Sequence, residues 1–499
     1  MRPHRFHGGL KLDGHKAESA AGGLHHAAMP EQLRVSMLQH AGYPARPCVT
    51  EGQWVRRGQR LGVAEQAPGV DVHSPCAGQV TELREEDVPQ WPGMRALHVL
   101  IRPEPPHDTV RLPALDWKQA TPEALRARIH EAGLAGLGGA GFPTAGKLAA
   151  GRERLILNGA ECEPWIACDD ALLRAHAAEV VLGGRMLARA VGAGRIQLAV
   201  EDSMPAALAA CREAITLHGE GEVELVVVPT IYPEGGERQL IFAVTGQEVP
   251  RGGLPRDIGV IVLNVATAHA GWRAVAHGEP LMERIVTVTG GGVVRPGNYV
   301  VPTGMTVAQL VHQAGGYTPD AARLLLGGPM MGIALPHDDV PLGKTHNCVL
   351  VLSAAQLPEA GPEMPCIRCG DCASVCPSRL LPQMLLRQVR GQQYEAAAEQ
   401  GLPDCIECGC CDLVCPSHIP LTAHFRHGKA ELRRRADEAE AAAAARERYE
   451  ARGQRLAREA AEREARLAAR KAATSADAVA AAIERARARK AGKGEGGEA

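Results

Sequence analysis

Aromatic side chains are scarce in this chain, with four Phe, five Trp and six Tyr among 499 residues. One large aromatic-filled core is therefore excluded, and the 56 Gly and 35 Pro fit loop-rich β and α/β modules better. A dominant charge is missing too. Lys and Arg number 55 against 57 Asp and Glu, so no global field advertises a nucleic-acid-binding surface. No apolar run approaches the roughly 18–20 residues that a membrane-spanning helix needs. The most apolar stretches, "VELVVVPTIY" and "DIGVIVLNVATAHAGW", are short and read as buried strands. The N-terminal "MRPHRFHGGLKLDGHK" is basic without an apolar core, so it does not read as a secretory signal. These absences lead us to expect a soluble, cytoplasmic chain that meets a membrane only as a peripheral partner. Its length exceeds one ordinary core, and three or four domains are expected.

Cysteine, by contrast, is abundant and clustered. Nine of the 15 cysteines lie in "CIRCGDCASVCP" (366–377) and "CIECGCCDLVCP" (405–416). Such density points to metal binding in a reducing compartment rather than to disulfides. Cys366, Cys369, Cys372 and Cys376 follow C-x2-C-x2-C-x3-C-P, and Cys405, Cys408, Cys411 and Cys415 repeat it 39 residues later. This is the two-cluster ferredoxin spacing, in which the fourth cysteine of each run ligates the other cluster. One [4Fe–4S] cluster is thus assigned to Cys366, Cys369, Cys372 and Cys415, and the other to Cys376, Cys405, Cys408 and Cys411. Structural zinc prefers two separated CxxC or CxxH pairs around a tetrahedral ion, not three cysteines in one turn. Cys410 is off-register and reads as a bystander, a small hydrophobe or weak S–H donor. Cys48, Cys76, Cys162, Cys168, Cys211 and Cys348 read as buried structural thiols. Between the repeats, "LLPQMLLRQVRGQQYEAAAEQ" has helical apolar spacing. Two adjacent clusters without a substrate pocket make an electron relay, and a relay needs a donor.

The middle of the chain offers one. "EAGLAGLGGAGFPTAGKL" (131–148) follows a helical run, and its glycines would let backbone N–H groups approach a phosphate or ring edge, with Lys147 adding a cation. A flexible turn is the alternative reading of such a loop. The strand "RLILNGAECEPW" then ends in Asn158, Glu161 and Glu163, at the kind of edge where an open α/β sheet binds ligands.

"GLGGAGFPTAGK", "NGAECEP", "YPEGGERQL" and "LNVAT" occur in the order found in the flavin-binding NADH dehydrogenase subunit of respiratory complex I. They resemble still more closely the RnfC family of the Rnf-type electron transport complexes, called RsxC in some bacteria. The N-terminal "FHGGLKLDGHKAES", the two cysteine repeats and an Ala-rich charged tail match that family too, so the resemblance covers roughly residues 1–430. It implies FMN on Gly136, Gly138, Gly139, Gly141, Phe142, Thr144, Lys147, Asn158, Asn264 and Thr267. On the nicotinamide side it implies Tyr232 with Glu161, Glu163 and Glu237, the three glutamates being the catalytic candidates. Three positions depart from the complex I pattern: Leu137 replaces an arginine, Ala160 an aspartate and Gly236 a glutamate. The implied function is that of an NADH-linked enzyme subunit, which passes electrons between NADH, FMN and two [4Fe–4S] clusters. Its implied partners are the other members of a membrane complex of six subunits, including an iron–sulfur subunit, and ferredoxin or another acceptor. That places it peripherally on the cytoplasmic side of the inner membrane, coupled to ion translocation. Two other readings stay open, a soluble diaphorase subunit of a hydrogenase or ferredoxin reductase and a relay that has lost NADH binding.

The expected fold is multidomain α/β. An N-terminal segment (1–33) precedes a barrel-sandwich hybrid (34–110) that is lipoyl-like, although "AEQAPGVDVHSP" has no attachment lysine. A Rossmann-like FMN/NADH domain (115–275), an SLBB β-grasp module (280–345) and an α-helical two-cluster ferredoxin domain (355–428) follow. Residues 429–499 are rich in Ala, Arg and Glu and are expected to form an exposed helix fraying into disorder.

Overall fold

A computed structural model describes residues 3–88, 94–148, 151–357 and 361–491. The chain divides into two units, residues 1–426 and 427–499.

The centre of the first unit is a parallel sheet made of the Val-, Ile- and Leu-rich runs. Its strands are β1 (Arg154–Gly159), β2 (Arg195–Glu201), β3 (Val223–Val228) and β4 (Val260–Asn264), in the order β3-β2-β1-β4. Both faces are covered, which is why the strands read as continuous apolar runs rather than alternating ones. Helices α1 (Pro122–Glu131), α2 (Cys168–Val191), α3 (Pro205–His218) and α5 (Val265–Ala276) share a core with one face. On the other face lies α4 (Glu237–Thr245). Thr121 caps α1 by accepting from the Ala124 N–H at 3.2 Å, and Pro122 follows at the first helical position, where its missing N–H costs nothing. Helix α2 is kinked at His176 (φ −134°, ψ 29°).

The β-grasp module is a six-stranded sheet built around β5 (Glu283–Thr289), β6 (Gly297–Pro302), β7 (Ala321–Leu326) and β8 (Cys348–Ser353). Strand β8 lies between β5 and β7, so the sheet extends past the expected boundary at 345. Leu24–His26 of the N-terminal segment adds an edge strand parallel to β6. Helix α6 (Val307–Gln313) opens on a capping box between Thr306 and Gln309. The barrel-sandwich module has one four-stranded and one three-stranded sheet, and its core is continuous with that of the β-grasp. Its attachment-type turn is structural. Asp71 is buried, accepts from the Ala64 N–H at 2.8 Å and pairs with Arg60 at 3.0 Å.

The helical run between the cysteine repeats forms two helices, α7 (Pro382–Arg390) and α8 (Tyr394–Glu399), broken at Gly391. Helix α9 (Leu421–Ala473) leaves the second repeat. From residue 436 to 491 its continuation and α10 (Ala476–Ala491) are almost wholly exposed, and i,i+4 pairs such as Arg434–Glu438 at 2.6 Å lie on the surface. The glycine-rich end expected to fray lies outside the described residues. Among the described residues no helix is long and apolar enough to cross a membrane.

Helix α2 crosses α5 at Gly183, where an added Cβ would fall on the Ala268 carbonyl. Alanine favours a helix over glycine by about 1 kcal/mol, but overpacking costs about 1–3 kcal/mol. Gly183→Ala is therefore expected to lower the thermal unfolding midpoint. A raised midpoint would show that the helices separate freely.

Candidate functional site

The two cysteine repeats fold as two similar loops. Residues between the first two cysteines of each repeat, Arg368 and Glu407, adopt positive φ (58° and 57°), as do Gly370 and Gly409 and then Arg379 and His418. The sequence repeat is thus also a backbone repeat. This left-handed geometry turns N–H groups toward sulfur. Glu407 N–H reaches Cys405 Sγ at 3.4 Å, and Leu380 N–H reaches Cys376 Sγ at 3.3 Å. Cys366, Cys369, Cys372 and Cys415 line one cavity, and Cys376, Cys405, Cys408 and Cys411 line another. Each cavity therefore holds the three in-register thiols of one repeat and the fourth of the other, a donor set suited to a cubane, and the second cavity holds Cys410 besides.

Cys410 lies on the second cavity, fully buried, and donates its S–H to Cys408. That bond holds the Cys408 thiol below its usual range, while burial raises Cys372, Cys376 and Cys411. The scattered cysteines divide. Cys76, Cys168, Cys211 and Cys348 are buried and Cys162 half-buried, but Cys48, expected inside, is exposed next to an edge strand of the barrel-sandwich module.

In the α/β domain, β1 and β4 end side by side, with Asn158 facing Asn264 in register. The strand order reverses here, and the crevice beyond such a switch point is where open sheets bind ligands. Asn158 Nδ2 donates to Gly235 O at 2.9 Å, and its Oδ1 accepts from Ala160 N at 3.0 Å. Asn264 caps α5 by accepting from Ala266 N at 2.8 Å and donates to Asp169 Oδ2 at 2.6 Å. The glycine loop is tied to the same place by Leu137 N, which donates to Thr267 Oγ1 at 3.0 Å. A Cβ on Gly138 would press on Asn264 at 3.2 Å, and the space beside Gly139 (φ +105°) is open. Among the described residues the buried Thr144 hydroxyl has no hydrogen-bond partner, Phe142 is partly exposed, and Lys147 pairs with Glu237 at 3.1 Å. A glycine-rich loop, a hydroxyl with no partner among the described residues and a lysine suit a planar cofactor carrying a phosphate.

The remaining candidates have protein partners. Glu161 is buried and caps α2, accepting from Asp169 N at 2.9 Å and Asp170 N at 3.3 Å. Glu163 accepts from Met330 N and Met331 N at 2.8 and 3.1 Å, and burial still raises its pKa. Tyr232 is buried, and its hydroxyl donates to Cys408 O at 2.7 Å.

Several residues that were not among the candidates complete the site. Lys16 donates to the Glu161 carbonyl and lies 4.0 Å from its carboxylate. Arg284, on β5, is buried and donates to Leu137 O at 2.7 Å. Ala41 N donates to Gly141 O at 2.9 Å, and Lys344 reaches Asp71 O and Gly133 O at 2.8 and 2.7 Å. Burial lowers Lys344 to about 7. Of these, only Lys16 carried a sequence signal, through "FHGGLKLDGHKAES". Behind the site, burial raises Asp169 and Glu201 to about 7 and Glu234 to about 8. Away from it, Glu179 is held by His269 at 3.0 Å and flanked by His176 and Arg273, an ion-pair network joining α2 to α5.

Residues 129–271 match the Nuo51 FMN-binding domain family and 365–419 the 4Fe-4S dicluster domain family. Residues 4–104 match the RnfC barrel sandwich hybrid domain and 285–334 the SLBB domain. The chain is thus a flavin and iron–sulfur protein. Three relatives each carry the name of the C subunit of an ion-translocating oxidoreductase complex. That of Pseudomonas aeruginosa is 44% identical over 98% of this chain and 66% of its own. The Pectobacterium atrosepticum relative is 41% identical over 98% and 71%, and the Erwinia tasmaniensis relative 43% identical over 97% and 61%. This chain belongs to their family, the C subunits of ion-translocating oxidoreductase complexes, and it spans about two thirds of the length of these curated relatives. A solved NAD+-reducing [NiFe]-hydrogenase in the air-oxidized state aligns with 61% of this chain and 63% of its own, at 22% identity and a TM-score of 0.43.

Two measurements test the thiol and carboxylate geometry. Cys410→Ala is expected to keep both clusters, whereas Cys415→Ser should damage the cluster of the first repeat, as read by iron content and EPR. Glu201 and Glu234 have folded pKa values above the unfolded ones, so their contribution is full below the usual carboxylate range and lost as pH rises through about 7–8. The midpoint of the wild-type protein should fall more steeply between roughly pH 5 and 9 than that of Glu234→Gln. Parallel curves would exclude Glu234 as the titrating group.

Proposed function

We propose that this chain is the peripheral electron-transfer subunit of a membrane-bound complex coupling electron transfer between NADH and ferredoxin, or another redox acceptor, to ion translocation. The observation that carries this reading is the Tyr232–Cys408 hydrogen bond, which seats the second thiol loop on a motif of the flavin domain. FMN, when bound, accepts a two-electron hydride and releases electrons singly, as one-electron clusters require. Gly136, Gly138, Gly139, Gly141, Phe142, Thr144, Lys147, Asn158, Asn264 and Thr267 are assigned to holding it. Glu161, Glu163, Tyr232 and Glu237 are assigned to the nicotinamide side.

The burial of the two cavities supports an order of use. Cys408 and Cys411 are buried, Cys408 against Tyr232 of the flavin domain, whereas Cys366 and Cys369 are exposed beside Met364 and Ile367, which are 53% and 68% exposed. The second-repeat cluster is therefore read as the near one and the first-repeat cluster as the outer contact for another redox subunit. The partners proposed are the other members of a complex of six subunits, including an iron–sulfur subunit, on the cytoplasmic side of the inner membrane.

Anaerobically purified protein should contain FMN and about eight irons, and its visible absorbance should bleach when NADH is added. Iron without flavin, and no bleaching, would favour a bare relay. Glu237 is exposed, so Glu237→Gln tests the nicotinamide assignment without disturbing the core. Its KM for NADH should rise roughly tenfold, the size of one charge-assisted hydrogen bond. An unchanged KM would remove Glu237 from that role.

A further inference from the structure

Before entering the barrel-sandwich sheets, the chain runs as a strap across the joint between the flavin and ferredoxin domains. His7 Nδ1 lies 3.0 Å from the carbonyl of Cys376, and Gly9 N–H donates to Val375 O at 3.0 Å. Leu10 and Tyr232 exchange both backbone hydrogen bonds, at 2.7 and 2.8 Å. Further along, Trp165 N–H donates to Gly14 O at 2.8 Å and Lys16 holds the Glu161 carbonyl. The strap thus grips Cys376, which lines the second-repeat cavity, and Tyr232, whose hydroxyl holds Cys408 on that same cavity.

Two glycines make the grip possible. Gly8 has φ +68°, and a Cβ there would lie 2.6 Å from the carbonyl carbon and oxygen of Val375. Gly9 has φ +79°, and its Cβ would lie 2.8 Å from Tyr232 O. Each therefore needs glycine for its conformation and again for its closeness to another backbone. Leu10 and Leu12 pack on the apolar cluster that contains Tyr232, Cys408 and Cys410.

We propose that Gly8 and Gly9 are positioning residues for electron passage, through which the N-terminal strap fixes the second-repeat cluster at a set separation from the flavin. The proposal rests on the flavin and cluster reading above. With FMN and the clusters bound, NADH would pass a hydride to the flavin and become NAD+. The flavin would return to its oxidised form by giving up two electrons singly to the clusters and releasing one proton. Because electron transfer falls steeply with separation, loosening the strap slows this passage and leaves hydride transfer unchanged.

The test uses the full-length protein loaded with FMN, iron and sulfide. Gly8→Val is expected to keep about eight irons and its FMN, and to accept hydride at the wild-type rate. Cluster reduction, followed by stopped-flow bleaching and EPR, should slow about tenfold or more, and dipolar EPR should show a broadened flavin–cluster separation. His7→Ala, on an exposed ring, should slow the same step less. If Gly8→Val loses its irons, the His7→Ala rate alone decides. Wild-type cluster reduction in the variants that keep their irons overturns the proposal. So does loss of iron or FMN from His7→Ala, which would make the strap a folding element only. If NADH fails to reduce wild-type flavin, the nicotinamide reading fails instead, and light-driven reduction of FMN then supplies the electrons for the same comparison.

Discussion

The Tyr232 hydroxyl donates to the carbonyl of Cys408 in a buried setting, joining two parts of the chain that are far apart in sequence. A buried phenol without a partner would cost about 1–3 kcal/mol, so this bond constrains where the ferredoxin domain sits. Tyr232 is itself fixed from behind by Leu10, and its loop is fixed by Asn158, whose amide donates to Gly235. The end of the central sheet, the N-terminal strap and the second thiol loop therefore share one set of contacts. None of them can shift alone.

The glycine loop depends on its neighbours in the same way. It has few side chains with which to hold itself, and three other parts of the chain supply the bonds. Arg284 of the β-grasp bonds Leu137, Ala41 of the barrel-sandwich module bonds Gly141, and Thr267 of α5 bonds the Leu137 N–H. Charge is balanced partly from outside. Glu161, Asp169, Asp170 and Glu201 crowd the sheet edge, and burial pushes Asp169, Asp170 and Glu201 upward. Arg174 of α2 pairs with Asp170 at 3.0 Å, but Lys16 comes from the strap and Arg284 from β5, so two of the cations that offset this acidity lie outside the α/β domain. Modules that carry no cofactor motif thus have a physical role at the site.

What could be read from the sequence follows from how local each signal is. The thiol loops were legible because the C-x2-C-x2-C-x3-C spacing and the left-handed turns within it are contained in twelve-residue runs. The α/β strands were legible because burial on both faces leaves continuous apolar runs. Arg284, Ala41 and Lys344 were not, since nothing near them in sequence marks a residue whose partner lies in another module. The barrel-sandwich and β-grasp modules looked separable because the chain returns to their common core only after the whole α/β domain. The central position of β8 was hidden for the same reason, because a run such as "CVLVLS" gives strand character without sheet order.

The two repeats share spacing and backbone but not surroundings. The second loop is packed against Tyr232, Met330 and Leu10. The first leaves Cys366 and Cys369 exposed, with Ile367 and Met364 beside them. Burial of a charged cluster and N–H bonds to its sulfurs both shift its potential, so two clusters with like ligands need not be alike in driving force. The sharing of a fourth cysteine across repeats links them further, because Cys376 belongs to the first loop yet lines the second cavity and is held at its carbonyl by His7. A displacement of the strap is therefore felt first at the buried cluster, through Cys376. It reaches the exposed one through the first thiol loop, which carries both Cys372 and Cys376, and through the second, which carries both Cys411 and Cys415.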